Sequence, residues 1–420
     1  MNKRFVRAAL AACLLSSAAA LAATIPLSPA FAASGPSVSA PVAKLMQPAE
    51  AAIKAGDNAG AMVLLKQAAA LPDQTPFDTY AINSFMANAA IALKDYATAE
   101  VAVDAMAESS ALPDADKAST LHNAALLAGQ FKHYDKTIKY GQAYIALGGP
   151  PDGAVLGALA TAYYNTNDYV NAAAFAQKSI AAAPAGQPPN EAALQIMFSS
   201  QWKSGAKADA QATQELLVSN YDDPDQWARL IDIAGSSPGV KDIDLLQIYR
   251  LRLATKAAGE SDDYMTPAAL AQSDHYPVEA EAYVNAGAGT IDTGKNGALI
   301  SQIRAAAAKD RATLGQFESL ANKTASGEFD VKLAETYMGY ARYADAETVA
   351  RRALTRPSPK IDHNEANMVL GEALILQGKT ADAIAAFNAV SNPTPGMMQA
   401  KRVWLVYANR KTGAPTAAAH

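Results

Sequence analysis

The sequence predicts an all-α chain, an α-solenoid of helix-turn-helix repeats with a divergent middle section and a capping helix at the C-terminal end. Three observations predict it. Alanine dominates while aromatic residues make up only 7%, and β-branched runs of the kind strands need are missing. Apolar residues recur at i, i+3, i+4 and i+7, the spacing that gathers them on one helical face. A tyrosine or polar residue followed by small or apolar residues three, seven and ten positions on returns along the chain at a nearly constant interval. Alanine serves both needs: it has the best helix propensity, and its small side chain lets stacked hairpins approach closely.

At the N-terminus Lys3, Arg4 and Arg7 precede an apolar, alanine-rich stretch, Ala8 to Ala23, and a Pro-containing segment that ends Ala30-Phe31-Ala32. That pattern is expected of a secretory signal peptide, residues 1–32, cleaved after Ala32, and it places the mature chain in the periplasm. Leu10-Ala11-Ala12-Cys13 has the letters of a lipoprotein box, but only about five apolar residues precede the cysteine, fewer than an export signal needs. Cleavage removes three basic and no acidic residues, so the formal charge moves from −5 to −8, and it removes the one cysteine. The remaining 388 residues (420 less 32) then have no thiol for a disulfide framework or a cysteine nucleophile, and must be held by a packed core. Mild acidity without clustered Lys and Arg argues against nucleic acid and anionic lipid. No later segment is long and apolar enough to span a membrane.

Residues 33–40 are expected to be a disordered linker, and residues 41–220 the first set of repeats. The clearest copy runs from Val155 to Pro184: Leu156, Leu159, Ala160 and Tyr163 share one face, Asn167-Asp168 turns, and Tyr169, Ala172, Ala176 and Ser179 follow. Leu370-Gly371, Leu374, Gly378, Ala383, Phe387, Val390 and Pro395 form a second copy; Leu333, Ala334, Tyr337, Tyr343, Ala346, Ala350 and Ala353 a third. Second helices are expected to start at Tyr96, Tyr134, Tyr169, Lys207, Tyr343 and Thr380. The region 221–325 is divergent, with helices expected over Trp227 to Ile233, Ile243 to Ala258, Tyr276 to Ala286 and Leu299 to Leu320, as repeats or as an insertion. Residues 326–410 return to the pattern and end in a capping helix, Met397 to Asn409; residues 411–420 have no pattern and are expected to be a disordered tail.

These copies resemble the tetratricopeptide repeat family in reduced form, with specific motifs over about half of the chain. The resemblance implies stacked hairpins that bury a continuous seam and leave a concave groove lined by first helices. It nominates Asn88, His122, Thr161, Tyr164, Asn165, Glu335, Glu365 and Glu372 as groove residues; any of these is also at home as an ordinary solvated helix residue. They are neutral or acidic, unlike the Lys- and Asn-rich clamp by which some family members hold a C-terminal carboxylate, so a basic or apolar protein or peptide segment is the expected partner.

Chemistry is sparse elsewhere. Gly289 to Asn296 matches G-x-x-x-x-G-K, but Asn296 stands where magnesium needs Ser or Thr, and a helix rather than a strand precedes it, so it reads as an interhelical connection. His122 and His133 lack metal-ligand spacing, and Asp362 reads as an N-cap with Glu365 in the first turn. Asp222-Asp223 and Asp262-Asp263 read as solvated pairs between helices. Tyr163, Tyr337 and Tyr343 read as core, Tyr164 and Tyr340 as freer. No catalytic, cofactor or metal residue is assigned. The expected function is a periplasmic scaffold or adaptor that holds a protein or peptide in its groove, in envelope assembly, polymer export or energised transport. The alternatives are a cell-wall or polysaccharide-binding accessory, marked by tyrosines clustered with carboxylates along the groove, and a hydrolase with its site between Tyr221 and Ala325.

Overall fold

A computed structural model of the chain describes residues 37–148, 152–184, 186–356 and 358–413. The expected signal peptide with Cys13 lies outside the described residues, as do the start of the expected linker and residues 414–420 of the tail. The described residues form twenty α-helices and no strand. They divide into two compact units, residues up to Ala210 and residues from Gln211 on, with the division inside one helix.

Unit 1 holds five hairpins: α1 (Ala40–Lys54) and α2 (Asn58–Ala69), α3 (Pro76–Ala92) and α4 (Tyr96–Ala107), α5 (Asp114–Gln130) and α6 (Tyr134–Ala146), α7 (Gly153–Asn165) and α8 (Tyr169–Ala181), then α9 (Glu191–Ser204) and the start of α10 (Lys207–Asn220). From α1 to α9 each helix packs on the next, and first helices also touch one another, α1 on α3, α5 on α7 and α7 on α9. Small residues permit this closeness. Ala99, Ala102, Ala172 and Ala176 of the second helices are fully or almost fully buried, and a side chain at Gly141 would collide with Leu159.

The expected second-helix starts at Tyr96, Tyr134, Tyr169, Lys207, Tyr343 and Thr380 are each the first residue of a helix. One turn builds them all. Two positions before each second helix, a residue takes left-handed backbone: Lys94 (φ 59°), Lys132 (63°), Asn167 (64°), Gly205 (87°), Ala341 (54°) and Gly378 (79°). The next N–H then reaches back five residues at 2.8–2.9 Å, as in Asp95 N–H to Ala90 O and Asp168 N–H to Tyr163 O, closing the end of the first helix. Asp95 and Asp168 continue as N-caps, their carboxylates accepting the N–H of Thr98 and Asn171. Gly56 (83°) and His275 (67°) make the same turn, which adds two hairpins that the residue pattern did not single out.

Unit 2 continues with α11 (Pro224–Gly235), α12 (Asp242–Ala254), α13 (Ser261–Ser273), α14 (Pro277–Ala286), the 31-residue α15 (Thr293–Lys323), α16 (Asp330–Gly339), α17 (Tyr343–Thr355), α18 (His363–Leu376), α19 (Thr380–Ala389) and α20 (Pro395–Lys411). The divergent region is therefore helical throughout. Helix α13 occupies the stretch read as polar, and Asp263 is a correction: it is buried, accepts the N–H of Gly259 and Glu260 at its helix start, and takes Arg252 Nη1 at 3.0 Å. Asp223 caps α11, while Asp222 lies 3.5 Å from Arg410. The G-x-x-x-x-G-K stretch joins helix α14 to helix α15, with Asp292 as N-cap. Helix α20 covers α19 as a cap and also packs against α11 and α12. Trp404, fully buried, donates its indole N–H to Gln247 O at 2.9 Å, and Arg402 and Arg410 reach Glu215 and Val218 O. The packing succession of unit 2 thus closes on itself.

Candidate functional site

In both units the first helices of successive hairpins form an inner row, and that row is where the groove residues fall. In unit 1 the row is α1, α3, α5, α7 and α9. Its nominated side chains stay partly exposed, and their polar groups are satisfied locally. Asn88 Nδ2 donates to Ser84 O (2.9 Å), Thr161 Oγ1 to Gly157 O (2.9 Å) and Asn165 Nδ2 to Thr161 O (2.8 Å), each one turn back along its own helix. Such bonds are worth about 1 kcal/mol net and exchange readily for a bond to a ligand. His122 reaches Asp152, the N-cap of α7, at 3.0 Å and lies edge-on to Tyr144. Tyr164 is edge-on to Tyr169 with Lys203 Nζ 4.7 Å from its ring centre, an arrangement that favours a cation on the aromatic face.

In unit 2 the inner row is α14, α16 and α18, with α16 packing on both neighbours. Glu335 and Glu372 each follow the Leu-small pair of a repeat, Leu333-Ala334 and Leu370-Gly371, and so point inward as Thr161 does after Leu159-Ala160. Neither lines an open surface, because α12 lies across the row. Arg250 of α12 donates Nε to Glu279 Oε1 (2.7 Å), Nη1 to Glu372 Oε2 (2.7 Å), and Nη2 to Glu279 Oε2 (2.8 Å) and Glu335 Oε2 (2.6 Å). One guanidinium therefore ties three inner helices. Glu335 and Glu372 have no exposure, so the expected contact of these two residues with a partner is replaced by an internal one. Burial would lower the Arg250 pKa, but the three carboxylates outweigh it and hold the group charged, well above its ordinary value. Burial, with Glu335 and Glu279 adding to it against the pull of Arg250, raises Glu372 to about 8. Glu365, in the first turn of α18, is raised to about 7 by burial and by Glu335 and Asp362. Asp362 caps this helix as expected, accepting the N–H of Asn364 and Glu365.

The residue pattern missed Arg250 and Glu279. An arginine in Ile248-Tyr249-Arg250-Leu251-Arg252 reads as solvated unless its partners are known, and they lie 29, 85 and 122 residues away. Arg252 is buried in the same way, against Asp263, Asp232 and the ring of Tyr249. The tyrosines are mostly engaged internally: Tyr337 donates to Glu318 and Tyr340 to Asp310. Among the described residues no group of His, Cys, Asp and Glu is arranged to hold a metal ion, and no helix is long and apolar enough to cross a membrane.

No protein-family model matches the chain, and a search of curated proteins finds no match.

Proposed function

We propose that the chain is a tetratricopeptide-like scaffold or adaptor of the periplasm that holds a protein or peptide segment on the inner row of unit 1. The observation that carries this reading is the contrast at one repeat position. In unit 1 Asn88 and Thr161 stand half-exposed and bonded only to their own helices, while in unit 2 Glu335 and Glu372 are consumed by Arg250. A neutral polar row suits an extended or helical segment recognised by hydrogen bonds and apolar contact. The cation-aromatic cluster of Tyr164, Tyr169 and Lys203 gives the row one charged edge. Tyr337 with Glu318 and Tyr340 with Asp310 are tyrosine-carboxylate pairs of the kind the polysaccharide alternative asks for, and they keep that alternative as the second reading, placed in unit 2. Continuous packing of α13, α14 and α15 favours the adaptor reading over a hydrolase.

The test is in-cell crosslinking and capture from the envelope fraction, with wild type and an Asn88→Lys/Thr161→Lys variant whose helicity is checked by circular dichroism. A protein captured by wild type and lost with the folded variant supports the reading. Capture that is indifferent to both substitutions, or recovery of polysaccharide alone, overturns it.

A further inference from the structure

The Arg250 cluster is short of positive charge. Three carboxylates meet one guanidinium, and all four side chains are buried, with exposures of 7% or less. Arg250 spends four of its donor directions on these acids, yet Glu335 Oε1 and Glu372 Oε1 are buried with no hydrogen-bond donor. Two uncompensated negative charges in such a place are strongly unfavourable, and a carboxyl group escapes that cost by keeping its proton.

We propose that unit 2 is closed by a proton-dependent lock: Glu372 is held as the neutral acid beside Arg250, and its ionisation as the pH rises loosens α12 from α14, α16 and α18. The surroundings of Glu372 support this from each side. Helix α12 brings Arg250, α14 brings Glu279 and the buried Tyr283, with Tyr276 at its N-cap, and α16 brings Glu335. Helix α17 brings Tyr343, whose hydroxyl is affected by Glu279 and Arg250. On α18 itself Glu365 lies two turns earlier, facing Asp362 and Lys332. Helix α19 meets α18 through Phe387 against Gly371, and Trp404 of α20 stacks on Phe387. Arg250 is the cation bonded to Glu372, and it is shared with two other acids.

The direction of the effect follows from proton binding. Glu372 is raised from its ordinary 4.5 to about 8, so the folded chain binds this proton more tightly than the unfolded chain. Stability from this group is therefore full below the unfolded value, falls as the pH rises between about 4.5 and about 8, and is flat above that. Within the window one such proton changes the folding constant by about tenfold per pH unit.

The experiment measures urea unfolding of wild type, Glu372→Gln and Glu365→Gln from about pH 5.5 to 9, with hydrogen exchange reporting on unit 2. The expected result is that Glu372→Gln loses about one proton's worth of the wild-type slope up to about pH 8, while Glu365→Gln loses slope only up to about pH 7. A Glu372→Gln slope equal to that of wild type overturns the lock. If Glu372→Gln does not fold, infrared spectra of the Glu365→Gln chain decide. A buried neutral-carboxyl band that fades on titration through about pH 8 supports the proposal, and its absence at about pH 6 overturns it.

Discussion

The two units treat the same repeat position in opposite ways. In unit 1, Asn88 and Thr161 bond one turn back along their own helices and leave the inner row accessible. In unit 2, Glu335 and Glu372 look inward at an arginine from α12, and the returning α20 holds α12 in place through Trp404 and Gln247. The difference teaches that a helical repeat does not by itself make a groove. The row stays open only where no other part of the chain brings a complementary group to it.

The largest expected effect comes from breaking the unit 2 arrangement at its centre. Arg250→Met leaves three buried acidic side chains without their shared cation and is expected to cost about 3–5 kcal/mol in urea unfolding, with faster hydrogen exchange in α12, α14, α16 and α18 and unchanged exchange in unit 1. Truncating the closing helix, Trp404→Ala, removes a fully buried indole stacked on Phe387 and is expected to cost about 3–5 kcal/mol by the same measurement. Gly371→Ala drives a methyl group into the edge of the Phe387 ring and is expected to cost about 1–3 kcal/mol, read as a lower thermal midpoint. At the small end, Asp168→Ala in unit 1 removes the cap on the N–H of Asn171 and is expected to cost about 1 kcal/mol, with exchange rising first at the start of α8. If Arg250→Met exposed unit 1 amides as strongly as those of unit 2, the contrast between the units would fail.

Much of the fold was legible because its determinants are local. Tyr96, Tyr134, Tyr169, Lys207, Tyr343 and Thr380 each begin a helix, and Asp362 caps one, because turn chemistry and caps act within a few residues. Helix α13 was hidden because Asp262 and Asp263 resemble loop residues, although acids in a first turn are favoured there by the helix dipole. The hairpin α1–α2 was not singled out although Asn58, Ala61, Leu65 and Ala68 keep the repeat spacing after the shared turn at Gly56-Asp57.

The candidate site divided along the same line. Repeat spacing placed Asn88, Thr161, Glu335 and Glu372 on inner rows, since side-chain direction on a helix follows from register alone. Whether those rows are open was decided by tertiary structure. Arg250 reaches Glu279, Glu335 and Glu372 across separations of 29, 85 and 122 residues, and Trp404 reaches Gln247 across 157. By itself the sequence determined the helices, the turns and the inward direction of these side chains, because each depends on neighbours within one or two turns. Only the tertiary structure decided which inward-facing acids meet a buried arginine, because the charge that a carboxyl group keeps depends on what the folded chain brings beside it.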